Sequence, residues 1–503
     1  MTDKQEEQKI AAIDLGSNSF HMIVAGVDEH GHMRILDKLR ESVRLRGGLD
    51  KNKNLSEEVR QRALSCLHRF GERIRDFSSA DVAAVGTNTL RQTRKARRFL
   101  DQAEQALGHP VSVISGREEA RLIYLGVSHT LAEDDASRRF VMDIGGGSTE
   151  LIIGQGFEAN HLESLHMGCV SSSQRFFAEG VIDKKSWKRA MTAAKLELMP
   201  IQRSYRDIGW DSATGASGTI KSVRKMIQQC ELASHGITLE NMRELQRRMT
   251  DAGHYSRFDI PGLSDERKPV IAGGLAVLMS TFEALDIEEM RVSDGALREG
   301  LVYDRIERAQ SGDLRAKTVR IMQQRFQVDG LHAAAVRETA EELFDACREE
   351  WKLAGDLREL LCWAADLHEL GLSVAHNSYH KHGAYLLENL DLAGFSSEEQ
   401  AWLSLLVRTH RRKLAARFYD DLESDRFKSA CYVSVILRIA VLLHRSRAEQ
   451  ALALEAIVPA GRSLSLTFSS AGKKRPLLFA DLEEERSYLK VVDFKLRYDS
   501  VGH

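Results

Sequence analysis

Apolar and polar positions fall into two regimes along the chain. Up to about residue 310, short apolar runs alternate with stretches of helical period, and beyond it almost every apolar position recurs at three- or four-residue spacing. Residues 8–40 read as three strands with a turn at Asp28–His32. Ser56–Asp76 has a helical period, Val82–Gly86 is a strand, Lys95–Leu107 a helix and Val111–Ile114 a strand. Ser115 opens a helix that runs through Tyr124. A strand pair over Val141–Gly154 follows, then a strand at Ala159–Leu165, helices from Ser171 to Tyr205 and a strand at Asp211–Gly215. Helix Pro269–Leu285, strand Met290–Val292 and a helix opened by Ser293–Gly300 end this half. Strands alternating with helices predict α/β sheets. The pattern divides the chain into lobes at 1–125 and 126–310, an all-helical domain at 311–447 and a small α+β domain at 448–503.

The centre of this pattern is Val141–Gly154, VMDIGGGSTELIIG. An apolar run ends in Asp143, three glycines follow, and a second apolar run returns after Glu150. Glycine permits φ > 0 and close approach of a ligand to the main chain. N–H groups freed in such a turn form a concavity for phosphate. Asp143 and Glu150 at its mouth favour a hard cation such as Mg²⁺. An ordinary hairpin would look similar, but Ala11–Ala25, AAIDLGSNSFHMIVA, repeats the plan, with Asp14 for Asp143, Gly16 for Gly145 and Ser19 for Ser148. The repeat predicts an internal duplication, two lobes closing on one phosphate site.

Composition narrows the partners. A net charge of −2 over 503 residues gives no global basic field, so nucleic acid is not an expected partner and any polyanion site is local. The six cysteines are scattered without a C-x-x-C and read as buried thiols of a reducing cytoplasm. The polar start, MTDKQEEQK, lacks a signal core, and Val270–Phe282 reads as too short and broken to span a bilayer. The expectation is a cytoplasmic protein, at most peripheral on the inner membrane face.

Several other groups carry candidate chemistry. Arg91 follows a strand end and suits either a phosphate grip or a plain helix-face charge. Glu118 and Glu119 lie in the first turn of a helix, where acids are stabilising without any further role; one of them pointing into a cleft would serve as a general base. Ser217 and Gly218 enter a helix through a small-residue turn, an anion site or simply a tight connection. The helical domain holds His332 and the run Leu367–Gly371, LHELG, which resemble a histidine–aspartate metal-phosphohydrolase fold except that Glu369 replaces the aspartate. This HD-like domain is read as a retained fold with a decayed metal site. It also concentrates Lys381, His382, Arg408, Arg411, Arg412 and Lys413, a solvated face or a polyanion track.

IDLGSNSFHM, GTNTLRQ, SGREEARLIYLGV, DIGGGSTEL, GASGTI and SDGALREGLVY together resemble the exopolyphosphatase / guanosine pentaphosphate phosphatase family over the whole chain. The resemblance implies two duplicated actin-like, sugar-kinase-like lobes and Mg²⁺-dependent release of terminal phosphate from inorganic polyphosphate, by a homodimer. Gly147, Asp294 and LVRTHRRK at Leu406–Lys413 look like the long proteobacterial exopolyphosphatase form. The alternatives are a guanosine pentaphosphate 5′-phosphohydrolase making the tetraphosphate, or a non-catalytic sensor of these nucleotides. By motif position the catalytic glutamate maps to Glu119 and the metal-associated carboxylates to Asp143 and Glu150. The phosphate hairpins map to Gly16, Ser17, Asn18 and Ser19 and to Gly145, Gly146, Gly147, Ser148 and Thr149. Asp14, Arg91, Ser217 and Gly218 complete the expected phosphate-binding set, with the basic run of the helical domain as a polyphosphate channel.

Overall fold

A computed structural model of the chain describes residues 8–28, 32–94, 96–131, 137–311, 313–419, 424–447, 454–469 and 476–500. The tip of the turn predicted at Asp28–His32 and Lys95 lie outside them. The chain forms two compact units, Met1–Gly312 and Asp313–His503.

The first unit builds one plan twice. β1 (Gln8–Leu15), β2 (Phe20–Val27) and β3 (Met33–Glu41) form an antiparallel meander. Helix α1 (Glu57–Ile74) crosses to β4 (Val82–Gly86), parallel to β1. Helices α2 (Asn88–Gln92) and α3 (Ala96–Leu107) lead to β5 (Ser112–Val113). Helix α4 (Gly116–Thr130) then carries the chain to the second sheet, where β6 (Arg138–Ile144), β7 (Thr149–Gln155) and β8 (Glu158–Leu165) repeat the meander. After α5 (Cys169–Phe176) and α6 (Lys184–Ile208), β9 (Ser212–Gly215) pairs parallel to β6. Then come α7 (Gly218–Gln229), β10 (Ile237–Thr238), α8 (Leu239–Ala252), α9 (Lys268–Leu285), β11 (Glu289–Val292) and α10 (Leu297–Ser311). The strand orders, β3-β2-β1-β4-β5 and β10-β11-β9-β6-β7-β8, match over three antiparallel strands and the parallel ones beside them, with β10 added antiparallel to β11 at the edge of the second sheet. This is the duplicated actin-like architecture.

Period-two alternation gives β1 two jobs. Ala11, Ile13 and Leu15 pack with Leu67 and Phe70 of α1 and Phe99 of α3, whereas Ile10 and Ala12 pack with Ile123 of α4 and Leu301 of α10. Val141 of β6 and Ile152 of β7 join that second cluster, so one core spans both sheets. The predicted 125/126 division therefore falls inside α4, and α10, expected in the second lobe, also packs against β1. Helices α4 and α10 touch backbone to backbone: a Cβ at Gly126 would lie 2.1 Å from the Ala296 carbonyl oxygen, and one at Gly300 1.8 Å from that of Leu122. Helix α9 reaches the length and apolarity of a membrane span, against the shorter sequence estimate, but 78% of it is buried in the second lobe's core.

The second unit contains α11 (Leu314–Arg325), α12 (Gly330–Trp351), α13 (Asp356–Leu367), α14 (Tyr379–Asn389), α15 (Ser397–Thr409) and α16 (Ser424–Leu443). A three-stranded sheet of β12 (Leu454–Pro459), β13 (Ser463–Phe468) and β14 (Lys495–Ser500), with α17 (Pro476–Leu489), completes it. Trp351 of α12 stacks on Tyr432 of α16 at 4.5 Å and meets Phe494 edge-on at 5.7 Å. Helices and sheet thus share one core, and the predicted 447/448 division is not a core boundary.

Candidate active site

Both glycine turns close antiparallel hairpins in equivalent places. Asp143 stands opposite Glu150 across β6–β7, and Asp14 stands opposite His21 across β1–β2. The expectation that these glycines supply φ > 0 is corrected: Gly16, Gly145, Gly146 and Gly147 are absent from the positive-φ positions. Close approach is what demands them. A Cβ at Gly146 would meet the Ser17 Cβ at 2.9 Å, and one at Gly147 the Asn88 Oδ1 at 2.4 Å. The two hairpins are therefore packed against each other. Thr89 Oγ1 donates to Ser17 Oγ at 2.7 Å, Thr149 Oγ1 to the Met167 carbonyl at 2.5 Å and Asn18 Nδ2 to Ser19 Oγ at 3.4 Å. The N–H groups of Arg44 and Arg46 tie down the Asn18 and Ser17 carbonyls, and that of Cys169 the Gly145 carbonyl.

Local helix geometry separates the two glutamates. Ser115 caps α4, its hydroxyl accepting from the Glu118 N–H at 3.1 Å. Glu118 is held bidentately by Arg121, at 3.0 and 2.8 Å, and Arg121 also binds Asp304 at 2.5 Å. Glu119, 8% exposed, turns the other way and accepts from Arg91 Nη1 at 2.8 Å. That same nitrogen donates to the Ile114 carbonyl at 2.9 Å, so Arg91 is fixed by backbone and orients the carboxylate. The helix-face reading of Arg91 is set aside on this geometry.

Four carboxylates crowd this place. Burial and the neighbouring Glu119 push Asp14 and Asp143 up to about 7. Burial, Glu119 and Asp143 push Glu150 well above the carboxylate range, and burial raises Glu119 against the opposing pull of Arg91. Glu150 accepts from Ser164 Oγ at 2.9 Å through one oxygen, while its other oxygen and Asp14 Oδ1 are buried without a partner. Orphaned carboxylate oxygens facing like charge fit a hard divalent cation; Asp143, Glu150 and Asp14 could hold one, although their oxygens are not gathered within 4.8 Å of one another as those of a closed ligand group are.

Ser217 caps α7, accepting from the Ile220 N–H at 3.1 Å, and a Cβ at Gly218 would meet Arg267 Nη2 at 2.2 Å. Arg267, Arg298 and Lys221 act on Asp143 as counter-charges. Of these only Arg298 lay within a motif, SDGALREG, where it was read as a helix opener; Arg267 carried no sequence signal.

The Ppx/GppA phosphatase family model matches residues 23–309, and that family's domain III matches 314–486. The chain belongs to the Ppx/GppA phosphatase family. Among its Ppx/GppA relatives, a guanosine-5′-triphosphate,3′-diphosphate pyrophosphatase of Vibrio cholerae is 40% identical over 94% of this chain and 95% of its own length. A protein of that name from Aliivibrio fischeri is 38% identical over 97% of this chain and 98% of its own. The Ppx/GppA enzyme of Aquifex aeolicus superposes with a TM-score of 0.50 at 25% identity, covering 59% of this chain and 99% of its own. An exopolyphosphatase from Cytophaga hutchinsonii shares the fold, with a TM-score of 0.54 at 24% identity, covering 60% of this chain and 98% of its own.

In the domain III portion, the structure does bring His332, His368 and Glu369 together, with their ligand atoms within 4.8 Å of one another. Arg447 already supplies a positive charge there, donating to Glu369 at 2.6 Å and to Asp329 at 2.7 Å. The basic run is only partly gathered. Arg411 lies over the Tyr379 ring at 4.4 Å and lines a cavity with Arg412, while Arg408 lies over Phe418 at 4.8 Å; Lys381, His382 and Lys413 do not line that cavity.

Proposed function

We propose that the chain hydrolyses the terminal phosphoanhydride of guanosine 5′-triphosphate 3′-diphosphate, releasing orthophosphate and leaving the 5′-diphosphate 3′-diphosphate. The supporting observation is the near-full-length similarity to pyrophosphatases named for that substrate, at 38–40% identity, with a site of matching chemistry. Gly147, Asp294 and the Leu406–Lys413 run, read above as exopolyphosphatase features, are present in a chain whose reported full-length relatives carry the other name.

Glu119, oriented by Arg91, takes a proton from a water. The water oxygen bonds to the terminal phosphorus as the bridging P–O bond breaks, and that electron pair leaves on the penultimate phosphate. Burial raises Glu119 above its ordinary value, which strengthens it as a general base. Main-chain N–H groups of the turns at 16–19 and 145–148, with Ser17 and Ser148, hold the phosphoryl oxygens. Mg²⁺ at Asp143, Glu150 and Asp14 would neutralise charge on the transferred group. The catalysis is positioning and electrostatics.

The test is phosphate release, with and without Mg²⁺, from guanosine pentaphosphate, long polyphosphate, tripolyphosphate and ATP side by side. Higher kcat/KM on guanosine pentaphosphate is expected. Release from polyphosphate alone would restore the exopolyphosphatase reading.

A further inference from the structure

A cavity of about 510 Å³ opens beside the first phosphate hairpin, with Ser17 and Asn18 in its wall. Its volume lies within the range of small-ligand sites, roughly 300–1,000 Å³. The same two residues belong to the hairpin that would hold the reacting phosphate, so one ligand can occupy both places.

The lining differs from what a bare phosphate chain requires. Arg44 and Arg46 line it together with Tyr255, Glu179 and Glu266. A polyanion is repelled by carboxylates and gains nothing from a ring. A ligand that joins phosphates to an aromatic base uses all three kinds of group.

The wall is also built under constraint. Arg44 has φ 54° and Glu179 φ 55°, left-handed conformations that cost a non-glycine residue energy and concentrate at binding sites. The Glu179 carbonyl is pinned by His254 Nε2–H at 2.7 Å, and the His254 ring stacks on Tyr255 at 4.8 Å. Gly180, at φ +80°, makes room for the Tyr255 ring, which a Cβ there would strike at 2.4 Å. Arg46 reaches Gln92 and Asn88 only at 3.3 and 3.4 Å, and its Nε is buried without a partner.

We propose that this cavity is the nucleoside subsite, with Tyr255 stacking on a guanine base, Glu179 accepting from its N–H edge, and Arg44 and Arg46 holding the phosphates on the ribose 3′ side. Guanine presents N1–H and an exocyclic amine side by side, two donors for one carboxylate; adenine presents an acceptor at N1 and would leave Glu179 unmatched. Glu266 is already engaged by Arg40 at 3.2 Å, which leaves Glu179 as the reader. The inference rests on guanosine pentaphosphate as substrate, and it explains how the chain would tell that substrate from polyphosphate.

The test measures calorimetric binding of guanosine tetraphosphate and of tripolyphosphate, and KM for guanosine pentaphosphate, in the full-length protein and in Tyr255→Ala, Tyr255→Phe and Glu179→Gln. Tyr255→Ala should weaken tetraphosphate binding and raise the pentaphosphate KM about tenfold, the scale of one lost base stack, with tripolyphosphate unchanged. Tyr255→Phe should retain binding. Glu179→Gln should narrow the preference for guanosine over adenosine polyphosphates. Equal losses for nucleotide and tripolyphosphate in Tyr255→Ala, or no loss for either, would overturn the subsite. Turnover of guanosine pentaphosphate with a KM indifferent to Tyr255 defeats the subsite alone. Tyr255-dependent tetraphosphate binding without pentaphosphate turnover defeats the hydrolase reading alone.

Discussion

Two buried clusters of titratable groups among the described residues are finished differently, one of carboxylates and one of two histidines and a glutamate. In the first unit, Asp14, Glu119, Asp143 and Glu150 face one another, and two of their oxygens are buried without a partner. In the second, Glu369 beside His332 and His368 has a guanidinium on it, that of Arg447 at 2.6 Å. Unmatched buried charge is expensive, and a fold keeps it only where something else completes the site. The first cluster leaves carboxylate oxygens unmatched, whereas in the second the carboxylate is matched by Arg447 and the unmatched atom is an imidazole nitrogen, His368 Nε2.

The largest expected effect separates Glu119 from its neighbour. Glu119→Gln should lower kcat by about 10²–10⁴-fold while nucleotide still binds. Glu118→Gln loosens the Arg121–Asp304 network and should lower thermal stability with kcat nearly intact. Steady-state kinetics with melting curves checks both, and full activity in folded Glu119→Gln would remove the base.

The second effect concerns the cation. Asp143→Asn and Glu150→Gln should raise the Mg²⁺ concentration for half-maximal rate. Asp14 and Asp143, ordinarily near 3.8, are held up to about 7 by burial and by Glu119. Their protonated forms are bound more tightly in the fold than in the unfolded chain. Without metal, the stability they contribute is present below about pH 4 and is lost as pH rises through 7. Mg²⁺ should therefore raise Tm more at pH 8 than at pH 5; equal shifts would break the comparison.

A smaller effect should turn the second cluster into a likeness of the first. Arg447→Met leaves the buried Glu369 with only His332 beside it, at 3.8 Å, at a cost of about 1–3 kcal/mol. Zn²⁺ or Mn²⁺ should then stabilise the variant and not the parent, as read by Tm. His368→Ala should leave phosphate release unchanged.

The smallest effect falls on the basic run. Arg411→Glu, Arg412→Glu and Lys413→Glu together should raise KM for long polyphosphate severalfold at low salt and leave tripolyphosphate turnover alone, since exposed charges are screened within about 10 Å at 0.1 M salt.

Local order was legible in the sequence wherever it was carried by neighbours along the chain. The hairpins, with Asp143 and Glu150 four-square across the turn, follow from apolar runs flanking small residues. Helix α8 is missing from the sequence reading although its buried residues, Met242, Leu245 and Met249, recur at the three- and four-residue spacing of a helix face. The choice between Glu118 and Glu119 depends on helix phase relative to two sheets, and adjacent residues on a helix point about 100° apart. Arg298 reaches Asp14, and Arg447 reaches Glu369, only through the tertiary fold. Local pattern records neither.

The contact between α4 and α10 has a mechanical consequence. One helix takes the chain out of the first lobe and the other brings it back, and they cross where Gly126 and Gly300 leave backbone against backbone. Around that bare contact the two helices are locked by side chains, Arg121 of α4 to Asp304 of α10, and Leu122 and Ile123 with Leu301 and Val302 in one core. The crossing is thus a rigid joint, and it fixes where α4 presents Glu119. A methyl group at position 300 would strike the Leu122 carbonyl and displace the helix that carries Glu119, disturbing the base from a position that touches no substrate.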